Sequence, residues 1–243
     1  MISPLLAKLY NIILEKKMSI WLEREGRAKG HVGFRRHHST IEHLITLRII
    51  VEECRDHKSD LFCFFVDFRK AFDTVARNNL WNRLEELKVP FELRAAAIRL
   101  YEKVIAKFKN TEGWSKDINC NIRVKQGCPL YPTLFGIYID KLEGYLKEAG
   151  CADTTLDGII IILLLYADDI FLLARCPSDL DKQLIIVKYF CSNIGMTVNT
   201  DKTKVMIIKS KKVTYANFVY DNSNLEEVTS YKYLGIDIHH KFN

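Results

Sequence analysis

The chain has 243 residues, of which 48% are hydrophobic and 27% are charged, so a sizeable core is possible and intrinsic disorder is not expected. Its 36 lysine and arginine residues give a formal net charge of +6, which weakly favours a polyanionic partner such as nucleic acid. The longest purely apolar run, Ile159–Leu165, is too short to cross a bilayer, and the charged N-terminal stretch is not a secretory signal.

The seven cysteines are scattered along the chain, and no two have the two-residue separation of a zinc knuckle. An odd, scattered set of this kind indicates reduced thiols and therefore an intracellular protein. We expect it in the nucleus or the cytoplasm, neither secreted nor bound to a membrane.

The first half of the chain alternates predicted helices with one short strand. The predicted elements are a helix with Leu5, Leu9, Ile12 and Ile13 on one face, a helix opened by a Ser39–Glu42 capping box and running to about His57, a buried strand at Leu61–Phe68, a helix around Leu80–Leu87, and a helix from Pro90 to about Phe108.

The second half is richer in strands. The predicted elements are a half-buried strand at Ile118–Val124, a helix from Pro132 to Gly150, a β-hairpin of Ile159–Tyr166 and Ile170–Ala174, a helix capped by Ser178 with Asp181 and ended by Gly195, and strands at Lys204–Lys209 and Tyr231–Ile238. This order favours an α+β fold in which helices back an antiparallel sheet.

Two adjacent carboxylates, Asp168 and Asp169, lie at the predicted hairpin turn between two apolar strands. Like charges this close repel each other unless a cation lies between them, and Mg²⁺ prefers oxygen ligands. The alternative is an ordinary turn, since aspartate is common in turns.

A third carboxylate, Asp67, ends the predicted strand Leu61–Phe68, where aspartate is disfavoured and costly to bury. A salt bridge to Arg69 or Lys70 is one explanation. If Asp67 instead lies beside the hairpin turn, three carboxylates can hold two Mg²⁺ ions about 3.5–4 Å apart, the arrangement used for phosphoryl transfer.

The sequence around these aspartates resembles the reverse transcriptases. LYADDIFLLA resembles motif C, FVDFRKAFDTV motif A, and RVKQGCPLYPTLFGIYID motif B in the form typical of LINE-type (non-LTR) retrotransposons. GMTVNTDKTKVM resembles motif D, YKYLGIDI the primer-grip hairpin, and GFRRHHSTIEHLITLR an earlier fingers motif. The segments follow the family's order and cover nearly the whole chain.

The resemblance implies the palm of a right-hand polymerase with partial fingers. Residues of about 1–60 and 75–130 would be associated with the fingers, and about 61–74 and 131–243 would form the palm. The implied activity is that of an RNA-directed DNA polymerase, a nucleotidyltransferase that adds deoxynucleoside triphosphates to a primer 3′-hydroxyl on an RNA template. The thumb and the endonuclease of the polyprotein are expected to be missing, and we expect little processive activity from the chain alone.

The match also implies roles for individual residues. Asp67, Asp168 and Asp169 become catalytic Mg²⁺ ligands for two ions, with Mn²⁺ as an alternative and the backbone carbonyl of Phe68 as a further ligand. The implied substrate contacts are Phe72 as the sugar gate, Gln126 and Gly127 beside the incoming nucleotide, Lys202 on the leaving pyrophosphate, and Tyr233, Leu234 and Gly235 as the primer grip. Each role has a structural alternative. Phe72 could be a core aromatic, Gln126 and Gly127 a simple turn, and Lys202 a surface lysine. The primer-grip residues could serve ordinary sheet packing.

Position 131 departs from the family, which usually has a small serine where this chain has Tyr131. A bulky ring at the start of the motif B helix would crowd the nucleotide site. The second hypothesis is therefore a catalytically dead or domesticated relative that only binds nucleic acid.

Overall fold

The computed structural model describes residues 5–26, 40–102, 105–106, 109–110, 113–116, 118–119, 128–151, 154–156, 159–166, 168–209 and 217–241. The chain divides into two compact units, the first drawn from Met1–Lys29 and Lys70–Tyr138 and the second from Gly30–Arg69 and Ile139–Asn243. Among the described helices, none combines the length and hydropathy that a membrane-spanning segment requires.

The described helices, in chain order, are α1 (Leu5–Arg24), α2 (Thr40–Asp56), α3 (Ala71–Thr74), α4 (Arg77–Glu86), α5 (Phe91–Glu102), α6 (Tyr131–Ile139), α7 (Lys141–Glu148) and α8 (Pro177–Ile194). The described strands are β1 (Leu61–Val66), β2 (Ile105–Ala106), β3 (Lys109–Asn110), β4 (Gly113–Trp114), β5 (Ile118–Asn119), β6 (Thr154–Leu156), β7 (Ile159–Ile161), β8 (Leu163–Tyr166), β9 (Asp169–Ala174), β10 (Lys204–Ile208), β11 (Val219–Tyr220), β12 (Ser223–Asn224), β13 (Glu226–Glu227), β14 (Ser230–Tyr233) and β15 (Ile236–His239).

In the first unit, α5 packs against both α1 and α4. The buried face of α1 carries Asn11, Leu14, Met18 and Leu22, which recur at helical spacing. The predicted apolar face, with Leu5, Leu9, Ile12 and Ile13, is a different one. Its residues are exposed, and 82% of the Leu5 surface is accessible to solvent. The thiol of Cys128 donates to Asn11 Oδ1 at 3.1 Å, which partners a polar side chain on the buried face.

Three predicted helix boundaries are wrong. The helix after Pro90 ends at Glu102 instead of Phe108, because β2 leaves the helix to pair with β5. The predicted helix from Pro132 to Gly150 is two helices, α6 and α7, separated at Asp140. Helix α8 is preceded by Cys176 as its N-cap, not by Ser178, because Pro177 already occupies the first turn.

The second unit is built on a five-stranded sheet in the order β13-β10-β1-β9-β8. Strand β1 is central and antiparallel to both β9 and β10, and all six of its residues are buried. On one face, Leu61, Cys63 and Phe65 join a core cluster with residues of α2 and of the β14–β15 hairpin. Helix α8 packs on β1 and β9, and the Gln183 amide donates to the Leu173 carbonyl at 2.7 Å. The predicted buried strand and the predicted Ile170–Ala174 strand are therefore confirmed.

The β14–β15 hairpin is attached to this sheet by stacked aromatic rings. The Tyr231 ring centroid lies 3.9 Å from that of Phe65, and Phe65 in turn stacks on Phe171 at 4.6 Å. The turn between the strands uses positive φ angles at Leu234 (50°) and Gly235 (85°), which a two-residue hairpin turn requires. The hairpin thus depends on Phe65 for its packing.

We expect Phe65→Ala to lower the free energy of unfolding by about 3–5 kcal/mol, because it removes the ring between Tyr231 and Phe171. The measurement is urea denaturation followed by circular dichroism. Phe91→Ala is the matched control, since the Phe91 side chain is 69% exposed and its loss should cost less than about 1 kcal/mol. Equal costs at the two positions would contradict the stack.

Candidate active site

The backbone of the second unit brings the three predicted metal aspartates to one edge of the sheet. Strand β1 ends at Val66, which pairs with Ile170 of β9, so the next residue, Asp67, lies beside Asp169. Asp168 precedes Asp169 at the turn between β8 and β9. The antiparallel register of β1 and β9 is therefore what gathers these residues.

The electrostatics of this edge are those of crowded carboxylates. The pKa of Asp169 is raised to about 6, mainly by burial and to a smaller extent by the charges of Asp168 and Asp67. Burial also raises the pKa of Asp168. A backbone hydrogen bond opposes this rise, and the charge of Asp67 adds a smaller contribution to it. The ionised forms of both residues are thus disfavoured by the protein itself.

Among the described residues, no group of three or more His, Cys, Asp or Glu side chains is arranged to hold a metal ion as it stands. The three aspartates lie at one sheet edge, and their charges interact, but their side chains are not arranged in a complete coordination geometry. Their donor atoms are all carboxylate oxygens, which is the set that a hard cation such as Mg²⁺ prefers. A cation between them would offset both causes of the raised pKa of Asp169, which are first its burial and then the repulsion from Asp168 and Asp67.

The backbone of Asp67 is held by a second segment, residues 197–203. Asn199 N–H donates to the Asp67 carbonyl at 2.8 Å, and the Asp67 N–H donates to the Thr203 hydroxyl at 3.1 Å. Phe68 forms an antiparallel bridge with Val198. The segment therefore continues the sheet pairing past the end of β1, where the predicted metal ligands begin.

Thr203 is fully buried, and sequence reasoning missed its role. It follows Lys202, which is exposed, as a surface lysine would be. Lys204 is less available, since its ammonium is 2.6 Å from Glu226 Oε2. Arg69, one predicted salt-bridge partner of Asp67, instead lies 3.9 Å from Asp201.

The predicted primer-grip residues lie on the β14–β15 hairpin, with Tyr233 buried and Leu234 and Gly235 in its turn. Burial raises the pKa of Tyr231, and the charges of Asp169 and Asp67 add to the effect. Burial likewise raises the pKa of Tyr233, with a further contribution from Asp169. The hairpin is therefore within electrostatic range of the aspartates.

Three of the predicted nucleotide contacts, Phe72, Gln126 and Gly127, fall within the sequence range Lys70–Tyr138 of the first unit. Gln126 and Gly127 lie outside the described residues, as does the side chain of Phe72, whose backbone is in α3. Tyr131 is buried in that unit, and its ring centroid lies 5.9 Å from that of Phe135. The substrate roles of Phe72, Gln126, Gly127 and Lys202 stay predictions.

Comparison with known proteins defines the class. Residues 2–238 match the family described as reverse transcriptase (RNA-dependent DNA polymerase). The chain belongs to the reverse transcriptase family.

Its relatives include the Pol polyprotein of retrotransposable element R2DM from Drosophila melanogaster, which is 25% identical in an alignment that covers 97% of this chain and 23% of the relative. The R2 polyprotein of Nasonia vitripennis is 25% identical over 205 residues, 80% of this chain and 20% of the relative. The chain thus spans about a fifth to a quarter of their length, and the predicted non-LTR retrotransposon class is confirmed.

Telomerase from Candida albicans, solved with a fragment of telomeric RNA, has a similar fold. The TM-score is 0.63 at 15% identity, covering 95% of this chain and 36% of the telomerase chain. Apo telomerase from Candida tropicalis gives a TM-score of 0.61 at 15% identity, over 94% of this chain and 38% of the telomerase. The predicted right-hand polymerase fold is confirmed.

We expect Thr203→Val to lower the free energy of unfolding by about 1–2 kcal/mol, because the Asp67 N–H loses its acceptor. Thr203→Ser keeps the hydroxyl and is the matched control, with a smaller loss from the missing methyl group. Chemical denaturation of both variants measures the difference. A Val variant as stable as the Ser variant would contradict the hydrogen bond.

A second prediction concerns pH. Because the folded pKa of Asp169 is raised, the wild type should lose stability as the pH rises from about 4 to about 6 in metal-free buffer. Asp169→Asn removes that loss and should be more stable at pH 7, by at most about 1 kcal/mol since the residue is partly exposed. Thermal melts across this range with a chelator present measure the effect.

The control for this prediction is Asp181→Asn, on the exposed side of α8. Its stability profile should run parallel to that of the wild type over the same pH range. An Asp169→Asn profile that is also parallel to the wild type would show that the crowding of the aspartates has no energetic consequence.

Proposed function

We propose that this chain acts as an RNA-directed DNA polymerase, which extends a primer 3′-hydroxyl with deoxynucleotides on an RNA template by two-metal phosphoryl transfer. The observation that carries the proposal is the meeting of Asp67 and Asp169 at one sheet edge, with Asp168 beside them. Membership of the reverse transcriptase family supports it. The RNA fragment bound by the telomerase of similar fold supports an RNA template.

Asp67, Asp168 and Asp169, with the Phe68 backbone carbonyl, are the proposed ligands for two Mg²⁺ ions, or Mn²⁺ in their place. When bound, the ions supply activation of the primer 3′-hydroxyl and neutralisation of charge on the leaving pyrophosphate. The protein's own part begins with the Thr203 and Asn199 hydrogen bonds, which orient the backbone of Asp67 toward the turn that carries Asp168.

The remaining proposed roles rest on membership of the reverse transcriptase family. Lys202 is exposed, next to the buried Thr203, and its ammonium is proposed to steady or protonate the pyrophosphate. Tyr233, Leu234 and Gly235 are proposed to hold the primer strand, since their hairpin lies in the electrostatic range of Asp169. Phe72, Gln126 and Gly127 are proposed to select and contact the nucleotide.

The second candidate is a relative that binds template and primer without extending the primer. One observation favours it: the bulky Tyr131, where the family usually has a small serine, is buried at the first residue of α6. The two candidates differ in one measurable property, which is chemistry in the presence of Mg²⁺.

On poly(rA)/oligo(dT) with Mg²⁺ and dTTP, we expect the wild type to extend the primer and Asp168→Asn to be slower by a factor of about 10² or more, because the substitution removes a charged metal ligand. Asp181→Asn, which changes the same group at an exposed site on α8, should extend at the wild-type rate. Gel-based single-turnover assays give the rates.

Wild type that binds this duplex tightly and never extends it would favour the second candidate. Equal rates for wild type and Asp168→Asn would remove Asp168 from the catalytic set.

A further inference from the structure

His43 is a titratable residue inside the core of the second unit, for which the proposed chemistry has no use. It lies on α2, with only 2% of its surface exposed. The helix around it is apolar on this side, with Leu47, Ile50 and Val51 in the same core as the sheet. Burying an imidazole in such surroundings is costly unless its polar atoms have partners.

The imidazole makes a hydrogen bond to a tyrosine from the other end of the chain. His43 Nδ1 and the Tyr233 hydroxyl oxygen are 3.1 Å apart, and the hydrogen bond between them is buried. Tyr233 lies on β14, in the predicted primer-grip hairpin, and is itself 2% exposed. The bond therefore joins α2 to the hairpin inside the core, where a lost partner would leave a desolvated hydroxyl.

The same imidazole contacts the strand that leads to the aspartates. The His43 and Tyr166 rings meet edge to face, with centroids 6.0 Å apart and an interplanar angle of 81°. Tyr166 is the register partner of Asp169 across the β8–β9 hairpin. One side chain thus contacts both the strand end that positions Asp169 and the hairpin that faces it.

Aromatic packing places Tyr233 on the sheet, but ring contacts alone do not fix where Tyr233 lies along the strand direction. Its ring centroid is 5.3 Å from that of Phe171 and 6.0 Å from that of Phe65, both in tilted contacts. Ring contacts of this kind tolerate shifts, whereas a hydrogen bond weakens steeply with distance and angle. The His43 bond is a directional contact, buried in the core, that can fix the hairpin's position along the sheet. Arg55 of α2, which donates to the Lys241 carbonyl, is a second directional contact, and it lies at the exposed end of the hairpin.

We infer that His43 is a positioning residue, which fixes the β14–β15 hairpin relative to Tyr166 and Asp169 and so sets where the primer end lies. The inference rests on the proposed function for its last clause. Histidine suits the position because leucine would lack a partner for the Tyr233 hydroxyl, and a flexible polar chain would lack the ring edge that packs on Tyr166.

The first experiment needs no catalysis. Amide hydrogen exchange in β14–β15 is measured for the wild type, His43→Leu, Tyr233→Phe and the double variant. Each single substitution should speed exchange in this hairpin about 5- to 10-fold. The double variant should exchange little faster than either single variant, because both substitutions remove the same His43–Tyr233 hydrogen bond. Exchange in the separate β11–β12 hairpin should not change.

Two further variants make the result specific. His43→Asn can place a polar atom near the position of Nδ1, and should recover most of the wild-type protection. Val51→Ala loosens the same core two turns along α2, and should not raise exchange in β14–β15 selectively. If His43→Leu fails to fold, Tyr233→Phe removes only one oxygen atom and decides the question alone.

The second experiment separates positioning from mere stability. In primer extension, His43→Leu and Tyr233→Phe should raise KM for the primer–template about 5-fold or more, with the Mg²⁺ concentration for half-maximal rate unchanged and with rescue by His43→Asn. Additive effects in the double variant, uniform loss of protection, or unchanged KM would each overturn the inference. A wild type that extends no primer counts against the proposed function, and hydrogen exchange then decides the role of His43.

Discussion

The antiparallel pairing of β1 with β9 is the contact on which the candidate site depends. β1 is buried on both faces, between the α2 side of the core and α8, so its register cannot slip by one residue without exchanging the Phe65 face for the Phe64 face. With that register in place, the chain leaves the sheet at Asp67 directly beside Asp169. The packing of the six apolar side chains of β1 thus determines how close Asp67 lies to Asp169, although neither carboxylate is part of that packing.

The same constraint has an energetic cost. Holding Asp168 and Asp169 near Asp67 in a partly buried edge raises the pKa of both residues, so the folded protein is less stable with them ionised. Such a cluster destabilises the fold unless a cation offsets the repulsion, as a cation would at the proposed metal site. The proposed metal chemistry and the repulsion are two consequences of one arrangement.

Two segments from the C-terminal part of the chain, residues 197–203 and the β14–β15 hairpin, pack beside this edge of the sheet. Residues 197–203 extend the pairing beyond β1 and fasten the backbone of Asp67 through Asn199 and Thr203. The β14–β15 hairpin covers the Phe65 face through Tyr231 and is joined to α2 by His43. In our proposal the first segment orients a metal ligand and the second orients the primer, while both rest on the same central strand.

The amino-acid sequence by itself determined the family, the fold class, a buried strand within LFCFFVDF that ends two residues earlier than predicted, the hairpin at Asp168 and the three candidate aspartates. These depend on local patterns, namely an apolar run, a turn between apolar strands and short motifs in a fixed order. Helix ends were harder: β2 ends the helix after Pro90 by pairing with β5, and Asp140 interrupts a pattern that reads as one helix. The buried side of α1 also differs from the side that its leucines and isoleucines indicate.

Only the tertiary structure decided the roles of Thr203 and His43. Their partners, Asp67 and Tyr233, are 136 and 190 residues away in the chain. A threonine in a turn and a histidine on a helix carry no local sign of such partners, because a hydrogen bond between distant segments depends on register and helix placement. The sequence identified the residues of the proposed chemistry, and the folded chain identified the residues that hold them in place.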